Sequence, residues 1–220
     1  MIAPSVVEQP CVLLDGITWE TFERILHELG DNRGTRLAYD NGHLEIMSPS
    51  SSHEALKELL SDIAHNLVKA LRVDFAKMGS TTFKRRELRR GFEPDQCFYI
   101  QRYEAIRERR GDLDFSQDPA PDLVIEIDIT HRSLTKLPIY AALGVREVWR
   151  YTGSRVLLYH CEAGEARLAE ASRIFLGLYV QDIHRFLELR PTMIQPDWED
   201  HIMAWAQQHI TLAPLPADQC

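Results

Sequence analysis

No stretch of this 220-residue chain approaches the roughly 18 consecutive apolar residues that a membrane-spanning helix requires. The opening segment, MIAPSVVEQPCVLLDG, lacks both the basic cluster and the long apolar run of a secretory leader. Cysteine is sparse as well. Cys11, Cys97, Cys161 and Cys220 lie far apart and form no CxxC pair, which argues against a zinc ribbon and against a disulfide scaffold. These absences predict a cytoplasmic protein with no membrane partner. Internal repeats, low-complexity tracts and a recognisable interdomain linker are also missing, and 45% hydrophobic content supplies material for a proper core. A single domain over residues 1–220 is expected.

A general excess of positive charge is absent too. The net charge is −8, which disfavours polyanion binding when taken globally. The distribution is uneven. Residues 84–110 hold nine basic side chains against five acids, a net +4 that leaves −12 for the rest. Such a segment could face phosphates, although charge runs more often mark solvated surface.

What the chain does have is an unusual strand. PDLVIEIDIT, residues 121–130, places Leu123, Ile125, Ile127 and Ile129 on one face and Asp122, Val124, Glu126 and Asp128 on the other. Three carboxylates on one strand face repel one another. An ordinary exposed face mixes signs and hydroxyls, so the acids weigh against that reading. Asp122 follows Pro121 and is expected to begin the strand, which ranks it below Glu126.

Around this strand the periodicities are clear. TWETFERILHELG predicts a helix stopped by Gly30, and Asn41-Gly42 predicts a hairpin between two alternating segments. Ser51 and Glu54 have capping-box spacing at the head of a long helix whose apolar stripe runs through Leu56, Leu60, Ile63 and Leu67. STTFKRREL and FEPDQCFYI read as strands, QRYEAIRERRG as a short helix, and SLTKLPIYAALG as a helix with Pro138 near its start. VREVWRYTG, RVLLYHC and ARLAE read as strands of a meander. Two helices, VQDIHRFLELR and DWEDHIMAWAQQH, end the chain, their role open between capping the core and forming a dimer. The order indicates an α/β domain with a mixed sheet.

Several acids are candidates for chemistry. Asp95 stands at the mouth of a strand in EPDQCFYI, and Glu126 and Asp128 share a strand face. Carboxylate oxygens are natural ligands for Mg²⁺, and a divalent ion would turn a repulsive acidic face into a binding site. Lys136 follows Asp128 by a short loop, so its ammonium could reach the same place if the helix folds back over the strand end.

This arrangement resembles the PD-(D/E)xK nuclease superfamily. More closely, LEIMSPSSSHE, GFEPDQCFYI and PDLVIEIDITHRSLTKLPIYAALGVREVWRY are similar to the Uma2 family of restriction-endonuclease-like proteins, also known as domain of unknown function 820. The resemblance covers about residues 12–190, leaving 191–220 as a C-terminal helical extension. It implies a restriction-endonuclease-like core: a mixed central β-sheet flanked by helices, with an N-terminal β-hairpin and C-terminal helices. It also implies that Asp95 is the first metal-binding acid and that Glu126 is the acid of the (D/E)xK element. Asp128 stands where that element has its lysine, and Lys136 is the expected substitute. Glu54 or Glu45 could supply a further acid. His53 and His131 flank the candidate segments, each more in keeping with a hydrogen-bonding role than with ligation. Trp149 and Tyr151 read as sheet packing rather than a base-stacking platform.

The sequence therefore predicts an endonuclease using Mg²⁺ or Mn²⁺ held by Asp95, Glu126 and Asp128, with Lys136 and Glu54 completing the catalytic set. Nucleic acid, DNA ahead of RNA, is the expected partner, with Lys84 to Arg90 touching its backbone. A homodimer is expected, since such nucleases often pair to cut two strands. The alternative is a nuclease-fold module with weakened or lost chemistry that binds nucleic acid or a protein.

Overall fold

A computed structural model describes residues 10–30, 34–79, 81–109, 117–129 and 134–215. In chain order the elements are β1 (Cys11–Leu14), α1 (Trp19–Leu29), β2 (Arg36–Asp40), β3 (His43–Met47), α2 (Ser51–Leu71), β4 (Ala76–Lys77), β5 (Phe83–Arg85), β6 (Arg90–Phe92) and β7 (Gln96–Tyr99). There follow α3 (Tyr103–Ile106), β8 (Leu123–Ile127), α4 (Leu137–Leu143), β9 (Glu147–Tyr151), β10 (Val156–Glu162), β11 (Glu165–Ala169) and β12 (Phe175–Leu176). The chain closes with α5 (Val180–Leu189), a 3₁₀ turn (Arg190–Thr192), α6 (Gln195–His209) and β13 (Thr211–Leu212).

The predicted hairpin forms at Asn41-Gly42, where both residues take positive φ (48° and 103°) as a tight two-residue connection requires. It is part of something larger than a hairpin. β2 and β3 belong to a five-stranded antiparallel sheet, ordered β1-β3-β2-β6-β5. A second, six-stranded sheet runs β11-β10-β9-β8-β7-β4. It is mixed: β8 and β9 are parallel and joined through α4, while its other neighbours are antiparallel.

The segment FEPDQCFYI is not one strand but two. β6 ends at Phe92 in the first sheet and β7 begins at Gln96 in the second. Pro94 has no N–H to give a ladder, so pairing stops there. Glu93 anchors the departure: its carboxylate accepts from the Leu37 N–H at 2.9 Å and from the Thr82 hydroxyl at 2.6 Å. Asp95 is thereby set at the crossing between the sheets.

The two faces of β8 are both buried. Leu123, Ile125 and Ile127 pack with α2, α5 and α6, through Leu60, Ile63, Leu67, Ile183, Phe186, Trp198 and Ile202. Val124 lies in the opposite layer with α4 residues Ile139, Tyr140 and Leu143 and with Phe83 and Phe92 of the first sheet. The helix α1 covers that sheet's other face with Trp19 and Phe22 against Leu37, Tyr39 and Leu44. The fold is thus an α/β, restriction-endonuclease-like core. Trp149 is wholly buried in the sheet and Tyr151, the last residue of β9, packs against the same core, both as packing residues. Among the described residues no helix is long and apolar enough to cross a membrane.

Candidate active site

The acidic face of β8 does not meet solvent; it meets α4 and β3. Alternation along β8 turns Glu126 into the layer between the sheets. The return of α4 over the strand end then brings Lys136, at the N-cap position of that helix, onto it. Lys136 Nζ lies 3.1 Å from Glu126 Oε2 and 3.4 Å from Glu45 Oε1. Glu45 comes from β3 of the other sheet and also accepts from the Leu134 N–H at 2.5 Å. Tyr140, one turn after Lys136, is buried with its hydroxyl beside Glu126.

Asp95 completes the group from the sheet crossing. Its N–H points at Glu126 Oε1 at 3.3 Å, and its own Oδ2 accepts from the Ile127 N–H at 2.8 Å. Its Oδ1 lies 2.8 Å from Nε2 of His53, a fully buried residue in the first turn of α2. Ser50, not Ser51, caps that helix, accepting from the His53 N–H at 3.2 Å, so the start falls one residue earlier than the capping-box spacing suggests. His53 lies two turns before Leu60 on the buried face of the helix, and Glu54 lies off that face.

Electrostatics follow from burial and proximity. Burial alone would raise the Asp95 carboxyl, but the hydrogen bond and charge of His53, the charge of Lys136 and the Ile127 N–H hold it below its ordinary range. Burial pushes Glu126 the other way, up to about 7, with the Asp95 charge adding to the rise against the pull of Lys136. Burial would lower Lys136, yet Glu126, Glu45 and Asp95 more than reverse this and keep it a firm cation. Cys11, at the pocket wall, is lifted to about 11 by burial and by Glu45.

Of the residues predicted from sequence, Asp95, Glu126 and Lys136 converge. Asp128 lines the same pocket but is gripped by the Arg150 guanidinium, with Arg150 Nε at 3.1 Å from its Oδ2. Glu54 stands apart: its side chain is 39% exposed, pairs with Lys57 and lies 4.0 Å from Arg36. Glu45 is the further acid that joins. Asp122, at the opposite end of β8, accepts from the Ile100 and Arg102 N–H groups at 2.8 and 3.0 Å and serves the fold. His131 lies outside the described residues. Tyr140 and Arg150 were not singled out from sequence. Their signals were a position four after Lys136, and the strand register that sets Arg150 beside Glu126.

The basic segment is largely answered by acids. Lys84 pairs with Glu23 at 3.1 Å, Arg86 with Glu20 at 3.1 Å and with Glu23, Arg90 with Asp40 at 2.9 Å, and Arg109 with Asp118.

Comparison with known proteins bears on this geometry. The family described as "Uma2: Putative restriction endonuclease" matches residues 19–185. The chain belongs to the Uma2 family. A solved structure described as "a putative nuclease belonging to DUF820 from Anabaena variabilis" shares the fold, with a TM-score of 0.51 and 19% identity over 77% of this chain and 98% of that one. No curated protein matches. The matched Uma2 region contains the whole converging group: Glu45, His53, Asp95, Glu126, Lys136 and Tyr140.

Whether this Uma2 pocket could hold a divalent cation turns on its donors. Among the described residues, no three His, Cys, Asp or Glu side chains form a metal-ligating group. Asp95 and Glu126 are two carboxylates that feel each other's charge, the Asp95 N–H meeting Glu126 at 3.3 Å while the Asp95 oxygens meet His53 and the Ile127 N–H. Such a pair fits Mg²⁺, which is commonly held by one or two carboxylates and keeps several waters. The raised Glu126 is in keeping with that fit, since its charge is incompletely compensated by the protein alone.

Proposed function

We propose that this Uma2 protein is a metal-dependent endonuclease that hydrolyses phosphodiester bonds, with DNA as its substrate. The observation that supports this best is the meeting of Lys136 with Glu126, 3.1 Å apart, on the wall of a pocket behind which Asp95 meets Glu126 through its own N–H. The nuclease-like family supports the reaction class, and its restriction-endonuclease description favours DNA. Asp95 and Glu126 would hold Mg²⁺ or Mn²⁺. Such an ion, when bound, supplies a lowered pKa for its water and neutralises charge on the phosphate.

The rest of the work falls to the protein. His53 and the Ile127 N–H fix the Asp95 carboxylate from both oxygens, so its orientation is set before substrate arrives. Lys136 is held by two acids from two different sheets and stays charged, ready to orient an attacking water or to stabilise charge on the transferring phosphoryl group. Glu45 keeps that ammonium over Glu126, which prevents it from swinging to solvent. A binding module with weakened chemistry is the second reading. It is favoured by Asp128 standing where the (D/E)xK element has its lysine.

Nicking of supercoiled plasmid with Mg²⁺ or Mn²⁺ separates the two. Asp95→Asn and Glu126→Gln should each lower metal-dependent nicking by about a hundredfold or more, the scale for loss of a charge-stabilising group. Nicking that survives in both variants would remove these residues from the reaction. No nicking by the wild type, with DNA bound, would favour the module.

A further inference from the structure

The pocket has a second cation besides Lys136. Arg150, on β9, sits in register with Glu126 on the parallel strand β8 and lines the same cavity. The two cations differ in setting. Lys136 is deeply buried between Glu126 and Glu45, whereas the Arg150 side chain is 31% exposed at the mouth. Its guanidinium is turned onto Asp128, with both Nε and a terminal nitrogen directed at the same carboxylate oxygen. A carboxylate is the closest protein counterpart of a phosphate for a guanidinium, offering anionic oxygens to the same planar fork.

We propose that Arg150 is a substrate-binding residue that grips a nucleic-acid phosphate at the pocket mouth, and that Asp128 occupies its fork until that phosphate arrives. The assignment rests on the nuclease reading above and gives Asp128 a role different from metal ligation. It also accounts for how an acidic protein can receive a polyanion: the phosphate takes the place of an acid already present, so no new cation has to be buried. Exchange of Asp128 for phosphate keeps Arg150 paired throughout, which avoids leaving a half-buried charge unanswered.

The test measures binding without chemistry. A short fluorescein-labelled DNA duplex is titrated with protein in EDTA, by anisotropy, over a range of salt. Arg150→Ala should weaken binding roughly tenfold and lower the salt slope by about one, as expected for the loss of one charged phosphate contact. Arg150→Lys, which keeps the charge without the fork, should fall between the two. Asp128→Asn should tighten binding several-fold, a gain that a merely structural ion pair would not give. Wild-type affinity and slope in both Arg150→Ala and Asp128→Asn would overturn the proposal. If plasmid nicking persisted, the nuclease reading would still stand. Absence of both DNA binding and nicking in the wild type would overturn both. Should Arg150→Ala fail to fold by circular dichroism, Asp128→Asn decides alone, and no gain in its affinity overturns the proposal.

Discussion

Replacing Lys136 with methionine should cost the fold about 3–5 kcal/mol above pH 7, the scale for removing one partner from a buried ion pair. Two carboxylates depend on this ammonium. Glu126 and Glu45 come from different sheets, and each lies within 3.4 Å of Lys136 Nζ. Methionine fills a similar volume, so lost packing is a small part of the effect. The pH dependence distinguishes this cause from any other. Glu126 has a folded-state value of about 7 against an ordinary 4.5, so the folded chain holds its proton more tightly than the unfolded chain. The stability that this proton confers is complete below about 4.5 and is lost as pH rises through about 7. Lys136 is one of the influences that lower Glu126. Without it the folded value climbs further, and the variant continues to lose stability above pH 7, where the wild type has already levelled off. Urea denaturation should therefore show a deficit that is smaller at pH 5.5 and larger at pH 8.5. A deficit independent of pH would mean that Lys136 matters to the fold through packing alone. If Asp95 and Glu126 hold a divalent cation, added Mg²⁺ should recover part of the loss at the higher pH, because it supplies the missing positive charge.

The parts of this site that could be read from sequence are those governed by local rules. Strand alternation placed Glu126 opposite Ile125 and Ile127, and Pro94 marked Asp95 as a strand entry. The lysine nine residues beyond the end of β8 was legible through its resemblance to Uma2 and through helical return over a parallel strand. What escaped was governed by tertiary contact. Glu45 and Glu54 looked equivalent in sequence. His53 shares the buried face of α2 with Leu60 and Leu67 and so meets Asp95, while Glu54 falls off that face. The cross-strand partner of Asp128 was equally hidden, because parallel register between β8 and β9 is set by α4 and the layers on both faces. The five-stranded sheet was visible only as a hairpin, since β5 and β6 are three residues each and carry little periodic signal. The pairing of the basic segment was hidden for a related reason. Its neutralising acids, Glu20, Glu23 and Asp40, sit more than 40 residues away in sequence and are brought close only by the fold.

The C-terminal helix α6 lies outside the matched Uma2 region, yet its contacts are those of a core element. Trp198 is wholly buried, donates from Nε1 to the Phe186 carbonyl at 2.7 Å, and has the Arg190 guanidinium over its ring at 5.7 Å. Ile202 and Ala206, at the spacing of successive turns, are also buried in the layer that contains Leu60, Ile63 and Leu67 of α2. Trp198→Ala should thus destabilise the protein by about 3–5 kcal/mol, as for other buried large aromatics. At this chain length that is a fall of roughly 6–20 °C in Tm. Trp198→Phe keeps most of the ring volume and removes one of two donors to the Phe186 carbonyl, the Arg190 N–H remaining, and should cost less, about 0.5–1.5 kcal/mol. A loss below about 0.5 kcal/mol for the alanine variant, the level of ordinary surface substitutions, would make α6 an appendage to the domain. The link to function runs through α2, whose first turn presents His53 to Asp95 and whose length packs on α6. Well below its melting point, Trp198→Ala should retain nicking, because His53 is anchored by its own cap at Ser50. Near the melting point, nicking and α2 packing should be lost together. Nicking that failed while the helix content remained intact would show that α6 bears on the pocket more directly than through the stability of the layer it completes.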